Sequence, residues 1–265
     1  MNRIARTFNS LRDKGQKALI VYVTAGDPSL EATAATIPAL VEAGADLIEI
    51  GIPFSDPLAD GPVIQAASSR ALAKGVRLDG ILKMTAAVRE RLPELPLVFM
   101  TYYNPVLQRG LERFCRQAKE AGVDGLIVPD LPYEESGPLL REASAQGLAL
   151  IPLLAPTSTE KRVEAICSSA QGFVYCVSVT GVTGMREKLD QELGRLVQTV
   201  KEHTSLPVAV GFGIARPETA AEVARLADGV VVGSAVVKLL GEGAREEALA
   251  LVRSLARVLH ARCSA

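Results

Sequence analysis

Eight short runs rich in β-branched residues recur along the chain, each followed by a longer stretch with apolar residues at helical spacing. The runs are Ala18 to Thr24, Leu47 to Gly51, Leu97 to Tyr102, Gly125 to Pro129, Leu148 to Leu153, Gly172 to Ser178, Val208 to Phe212 and Gly229 to Gly233. Helical patterns between them include Leu30 to Ala43, Leu111 to Ala121, Glu134 to Gln146, Thr159 to Ser169 and Pro217 to Ala227. Such alternation marks repeated βα units around a parallel sheet. Helix starts stand at Asp27-Pro28-Ser29 and Ser158-Thr159-Glu160, and Gly44, Gly122 and Gly147 follow helix ends. An open doubly wound sheet also alternates, but eight units in about 250 residues match a closed barrel. The expectation is an α/β fold: a single (β/α)8 TIM-barrel domain over residues 1–265, with an extra N-terminal helix and an additional helix after the second-strand loop.

The charge balance narrows the partners. With 29 basic and 30 acidic side chains spread along the chain, no basic stripe is available for nucleic acid or an anionic membrane. The start of the chain lacks the apolar core of a secretory signal, and no run is long enough to span a bilayer. Cys115, Cys167, Cys176 and Cys263 are scattered without a Cys-x-x-Cys pair, so neither a disulfide framework nor a zinc site is expected, and a reducing cytoplasm is the simpler location.

Within the second run, period-two alternation puts Glu49 on the face of Leu47, near the carboxyl end of the strand and pointing into the barrel. Desolvation there favours the neutral acid and moves its pKa toward the working pH, as acid-base catalysis requires. The other reading is a buried glutamate paired with a cation, but the strand runs hold no lysine or arginine. The long loop Gly51 to Pro62, stiffened by three prolines, then carries Asp56 and Asp60 over the barrel mouth. Spacing alone leaves Asp60 divided between a catalytic role and capping the helix that starts near Pro62.

Two later runs end in glycines, Val210-Gly211-Phe212-Gly213-Ile214 and Val232-Gly233-Ser234-Ala235. In barrels the loops after the seventh and eighth strands commonly hold phosphate on backbone N–H groups, which makes Gly213, Gly233 and Ser234 candidate donors. Tight turns alone would read the same way. The polar stretch Val179 to Lys188, hinged by Gly181 and Gly184, is either a closing lid that adds the Gly184 N–H or an ordinary surface connection. Both histidines, His203 and His260, fall away from the expected site, and no cluster has metal-ligand spacing. Every lysine falls in a predicted helix or loop, which disfavours Schiff-base chemistry. Carboxylate acid-base catalysis on a phosphorylated substrate remains.

Thr24-Ala25-Gly26-Asp27-Pro28, the Glu49 strand with its Pro53 to Pro62 loop, Val128-Pro129-Asp130-Leu131-Pro132, Gly181-Val182-Thr183-Gly184 and the two glycine ends resemble, in order and over nearly the whole chain, the tryptophan synthase alpha subunit family. The resemblance implies retro-aldol cleavage of indole-3-glycerol phosphate to indole and glyceraldehyde 3-phosphate, without metal or cofactor in this chain. Glu49 would protonate indole C3 and then take the proton of the C3′ hydroxyl, while Asp60 stabilises positive charge at the ring N–H. Tyr175 would help position Glu49, and Thr183 would tie the lid to Asp60. Tyr22, Met100, Ile127, Leu153 and Phe212 would line the indole pocket, although plain core packing accounts for them as well.

The resemblance further implies a beta subunit that holds pyridoxal phosphate and receives indole, in an alpha2beta2 heterotetramer, with contacts at Pro53, Asp56, Pro57 and Asn104. Rival readings are a stand-alone indole-3-glycerol-phosphate lyase, a catalytically silent phosphate-binding barrel that activates a partner, and a sugar-phosphate isomerase or epimerase.

Overall fold

The computed structural model of the chain describes residues 2–177, 186–211 and 213–261, the side chains of 186–190 excepted. Its strands are β1 (Ala18–Thr24), β2 (Leu47–Gly51), β3 (Leu97–Met100), β4 (Gly125–Ile127), β5 (Ala149–Leu150), β6 (Leu153–Leu154), β7 (Val174–Val177), β8 (Val208–Gly211) and β9 (Gly229–Val232). The helices are α1 (Arg3–Asp13), α2 (Leu30–Glu42), α3 (Pro62–Ala73), α4 (Leu78–Arg91), α5 (Tyr103–Arg109), α6 (Leu111–Glu120), α7 (Gly137–Ala145), α8 (Glu160–Ser169), α9 (Arg186–His203), α10 (Pro217–Ala224), α11 (Ser234–Gly241) and α12 (Arg245–Leu259). Every ladder is parallel. The order runs β5-β4-β3-β2-β1-β9-β8-β7-β6.

The two ends of that order are consecutive in the chain, so the sheet is an α/β barrel of eight positions whose fifth is split. The run Leu148 to Leu153 expected as one strand breaks at Ile151-Pro152, because proline has no N–H to give the ladder. Hydrogen bonds bridge the break: Ile151 N–H donates to Leu126 O at 2.9 Å, and Pro152 O accepts from Tyr175 N–H at 3.0 Å. The third run is also shorter than expected, ending at Met100, with Tyr102 capping α5. Two helices, α3 and α4, separate β2 from β3, so the additional helix is present. Ser29 caps α2 by accepting the Ala32 N–H at 3.1 Å.

Strand parity sorts the side chains into two layers. Ile20, Leu47, Val98, Ile127, Ile151, Phe173, Ala209 and Val231 fill the barrel interior, and α1 closes its amino-terminal end with Ile4, Phe8 and Leu11. The alternate residues, Leu19, Val21, Ile48, Ile50, Phe99 and Val230 among them, pack between the barrel and its helices. Each fully buried side chain of this size stabilises the fold by roughly 1.5–3 kcal/mol relative to exposure. That is why one stripe of each helix is apolar.

At the amino ends of the strands one arrangement recurs at every second position. Asp46, Asp124 and Asp228 precede β2, β4 and β9, and their carboxylates accept the N–H of Leu19 (2.7 Å), Leu97 (3.1 Å) and Val208 (3.0 Å) on the strand before. Their own N–H groups return to the carbonyls of the same three residues at 2.9, 2.8 and 2.7 Å. At the split position Gln171 takes this place, its side-chain oxygen accepting the Leu150 N–H at 3.2 Å. Basic side chains complete each aspartate: the His260 ring on Asp46 (2.9 Å), Arg3 and Arg89 on Asp124 (3.0 Å each), and Lys17 and Lys201 on Asp228 (3.7 and 3.3 Å). Each carboxylate thus satisfies a backbone donor that the ladder leaves without a partner. His260 is part of this support, at the end of the barrel opposite the carboxyl ends of the strands.

Candidate active site

At the carboxyl ends of the strands a cavity of about 580 Å³ opens. Glu49 and Asp60 line it together with Tyr22, Met100, Leu153, Tyr175, Gly213, Gly233 and Ser234. Ile64 from α3, Pro129, Ala155, Val177 and Val231 complete much of its wall.

Glu49 comes from β2, in register with Tyr22 of β1 and Val98 of β3. It shares the inward parity of Leu47 and is 1 % exposed. Its Oε2 has no hydrogen-bond partner among the described residues. Burial first, and the negative charge of Asp60 second, push its carboxyl up to about 8. A group in that condition holds its proton at neutral pH and is ready to give it to a substrate atom.

Asp60 stands on the loop between β2 and α3. Gly61, not Asp60, is the residue capping α3, and no side chain supplies a capping hydrogen bond there. Burial raises the Asp60 carboxyl, the nearby Tyr102 hydroxyl lowers it, and burial prevails, at about 6. The two carboxyls therefore separate in acidity, Glu49 protonated and Asp60 ionised over the interval between them. Such a division is how one cavity provides both a proton donor and a fixed negative charge.

Two tyrosines reach into the cavity because glycine occupies the neighbouring strand. A Cβ on Gly51 would stand 1.9 Å from the Tyr22 hydroxyl, and one on Gly211 would stand 2.2 Å from that of Tyr175. Real Cβ atoms do not come so near, so each glycine is what lets the adjacent phenol lie across the strand. Burial, then the charge of Glu49, hold the Tyr175 phenol well above its usual range.

Across the cavity, Gly213 adopts φ 55 after β8. Gly233 caps α11, whose first residue is Ser234. The first-turn N–H groups of a helix lack intrahelical partners and carry its positive end, a general means of holding an anion. Ile127 is fully buried in the barrel interior and is not part of the cavity wall. Thr183, Gly184 and Phe212 lie outside the described residues, as does most of the Val179 to Lys188 stretch.

Pro53, Asp56 and Pro57 lie on the loop that carries Asp60, and Asn104 is in α5, so all four belong to the same end of the barrel. Asp56 and Asn104 are exposed, Pro57 is half-buried and Pro53 is buried. Beside them, Leu58 is 91 % exposed and Leu107, also in α5, 49 %. Tyr102 escaped the sequence reading. An aromatic residue at the carboxyl-terminal end of a barrel strand was the available signal. No group of His, Cys, Asp and Glu able to hold a metal ion occurs among the described residues.

Comparison with known proteins adds an independent line. The family model described as tryptophan synthase alpha chain matches residues 8–262. The tryptophan synthase alpha chain of Thermoanaerobacter sp. (strain X514) is 47 % identical over 264 residues, 98 % of this chain and 100 % of the relative. The crystal structure of tryptophan synthase subunit alpha from Legionella pneumophila superposes with a TM-score of 0.90 at 40 % identity, covering 98 % of each chain. A chain of tryptophan synthase from M. tuberculosis in its aminoacrylate-bound form gives a TM-score of 0.89 at 39 % identity, covering 98 % of this chain and 100 % of that one.

Proposed function

The chain belongs to the tryptophan synthase alpha chain family, and from that premise we propose that Glu49 and Asp60 together carry its reaction. That reaction is the alpha reaction, cleavage of indole-3-glycerol phosphate to indole and glyceraldehyde 3-phosphate. The observation that carries the proposal is Glu49 itself: an acid sunk in the barrel wall, with an unpartnered Oε2, facing the same cavity as Asp60 and the glycine tips.

In the proposed sequence, protonated Glu49 gives its proton to indole C3, and the positive charge that develops on the ring is met at the N–H by ionised Asp60. Glu49, now a carboxylate, takes the proton of the C3′ hydroxyl. The C3–C3′ bond breaks, its electron pair restores the indole ring, and the C3′ oxygen becomes the aldehyde. Glu49 ends the cycle protonated, so no metal or cofactor of this chain takes part. Amides of Gly184, Gly213, Gly233 and Ser234 hold the phosphate in this reading. Tyr175 supports Glu49, and Thr183 ties the lid to Asp60. Tyr22, Met100, Leu153 and Phe212 surround the indole, with Ile127 beneath.

The separated acidities set the expected pH dependence. The value of kcat/KM rises as Asp60 ionises near about 6 and falls as Glu49 ionises near about 8, a bell-shaped profile. Asp60→Asn removes the acidic limb and moves the alkaline limb to lower pH, because the charge that raises Glu49 is gone. Steady-state cleavage assays across the profile check this. A flat profile would count against the assignment.

A tryptophan synthase beta subunit is the partner. The reading extends to an alpha2beta2 assembly, with pyridoxal phosphate on the beta chain and contacts at Pro53, Asp56, Pro57 and Asn104. Exposed Leu58 and Leu107 add apolar surface beside those residues, as a docking face requires. Because the loop that carries Asp60 also forms part of this face, the isolated chain is expected to turn over slowly and the complex quickly. Measuring cleavage with and without beta subunit decides it, and equal rates would remove partner activation. Among the described residues no helix is long and apolar enough to cross a membrane. The same reading takes residues 1–265 as one barrel domain working in the cytoplasm.

A further inference from the structure

Tyr102, which the reaction above does not use, touches the Asp60 loop at two points. Its ring, 4 % exposed, stacks on Phe54 with centroids 5.2 Å apart and planes inclined by 27°. Its hydroxyl accepts the N–H of Ala59 at 3.0 Å. The same hydroxyl also acts on the neighbouring Asp60 carboxyl, whose pKa it lowers. A phenol that accepts from Ala59 keeps its one proton available for a carboxylate beside it. One oxygen thus holds the backbone of the residue that precedes Asp60.

Elsewhere the loop is held mainly within itself, apart from the Gln65 amide, which donates to Asp60 O at 2.8 Å. Leu58 N–H and Asp60 N–H bond only to Asp56 O and Pro57 O, within the loop itself, and Ser55, Asp56, Leu58 and Ala59 are exposed. Tyr102, by contrast, stands on a braced base. It caps α5, and the next residue, Tyr103, donates its N–H to Asp130 Oδ1 at 2.8 Å, which ties the start of α5 to the loop after β4.

We propose that Tyr102 is the positioning residue of Asp60, its phenol holding the Ala59 N–H and the Phe54 ring and so fixing where the next residue's carboxylate stands in the cavity. This rests on the role given to Asp60 above. Tyr102 is not among the residues that line the cavity, so it acts through Asp60. Asn104, two residues on in α5, gives a partner that docks there a short covalent route to the same phenol.

The test is Tyr102→Phe, which keeps the ring and its stack on Phe54 and removes only the oxygen. Loss of the hydrogen bond that places the Asp60 carboxylate lowers kcat about tenfold or more, with KM changed less than about twofold. The acidic limb of the kcat/KM profile moves to higher pH, because the hydroxyl that lowers the Asp60 pKa is gone. That limb is independent of how much protein is folded, so partial misfolding does not imitate its movement. In an Asp60→Asn background the same substitution changes kcat by less than about twofold, since the two residues act as one unit.

A slow Asp60→Asn variant beside a Tyr102→Phe variant with parental kcat and limb overturns the positioning role and leaves the reading of Asp60 standing. Losses of equal size in both backgrounds also overturn it, since they assign the phenol to packing. Parental turnover in Asp60→Asn removes the reading of Asp60 and this inference with it.

Discussion

Glu49→Gln is expected to slow cleavage of indole-3-glycerol phosphate by about 10²- to 10⁴-fold, the range that a positioned acid-base group contributes. Glutamine keeps the shape and the buried position but has no proton of suitable acidity to give and no carboxylate to take one back. Both halves of the reaction are therefore affected, and KM is expected to change little, because Glu49 is assigned to the reacting carbon and oxygen and not to the phosphate. Single-turnover cleavage by the purified complex measures it, and an undiminished rate would sink the mechanism.

The same variant is expected to be more stable than the parent at alkaline pH. Burial raises the Glu49 carboxyl from its ordinary 4.5 to about 8 in the folded protein. Between those values the folded state keeps a proton that the unfolded chain has released, so stability falls as pH rises through that interval. Glutamine does not titrate. The difference in melting temperature, variant minus parent, should therefore grow from about pH 5 to about pH 8 and then level off. Gain in stability with loss of activity is the mark of a group kept for chemistry at a cost to the fold.

Asp124→Ala is expected to be the most damaging single change at the opposite end of the barrel, by about 3–5 kcal/mol. Asp124 is 2 % exposed and accepts from Arg3, from Arg89 and from the Leu97 N–H. Its removal leaves the Arg89 guanidinium, 13 % exposed, without its carboxylate, and leaves the first N–H of β3 without a partner. It also frees Arg3, which helps to seat α1 under the barrel. Asp124→Asn keeps one acceptor oxygen and should lose less. Removing the exposed pair Arg6–Glu94 should cost no more than about 1 kcal/mol. Urea unfolding of the three variants ranks them, and an Asp124→Ala loss no larger than that of the surface pair would refute the assignment.

Legibility followed the range of the interaction. The parity that turns Glu49 inward is a property of five consecutive residues, since side chains of any strand alternate between faces. Helix starts such as Ser29 and ends such as Gly44 are equally local, which is why they could be read without knowing the fold. The place of Gly213 and Gly233 on the cavity was legible for a second reason: the barrel rule puts the site at the carboxyl ends of the strands.

Asp60 was not decidable in this way. Its competing roles, helix cap or cavity carboxylate, require the same residue type at the same spacing. Only the fold distinguishes them, by giving the cap position to Gly61 and setting Asp60 in the cavity wall. The broken fifth strand turns on Pro152 finding Tyr175 and on Ile151 finding Leu126. Asp46, Asp124 and Asp228 passed unremarked because an aspartate before a strand looks like any loop residue until the preceding strand presents its unpaired N–H.

What this sequence determined by itself is the succession of elements, the inward face of each strand and the identity of the acid in the wall, because backbone sterics and hydrophobic periodicity act over a few residues. The tertiary structure alone decided how acidic Glu49 and Asp60 are, and who holds Asp60. Desolvation and a neighbouring hydroxyl depend on atoms that closing the barrel brings together from distant segments, and no local pattern encodes that distance.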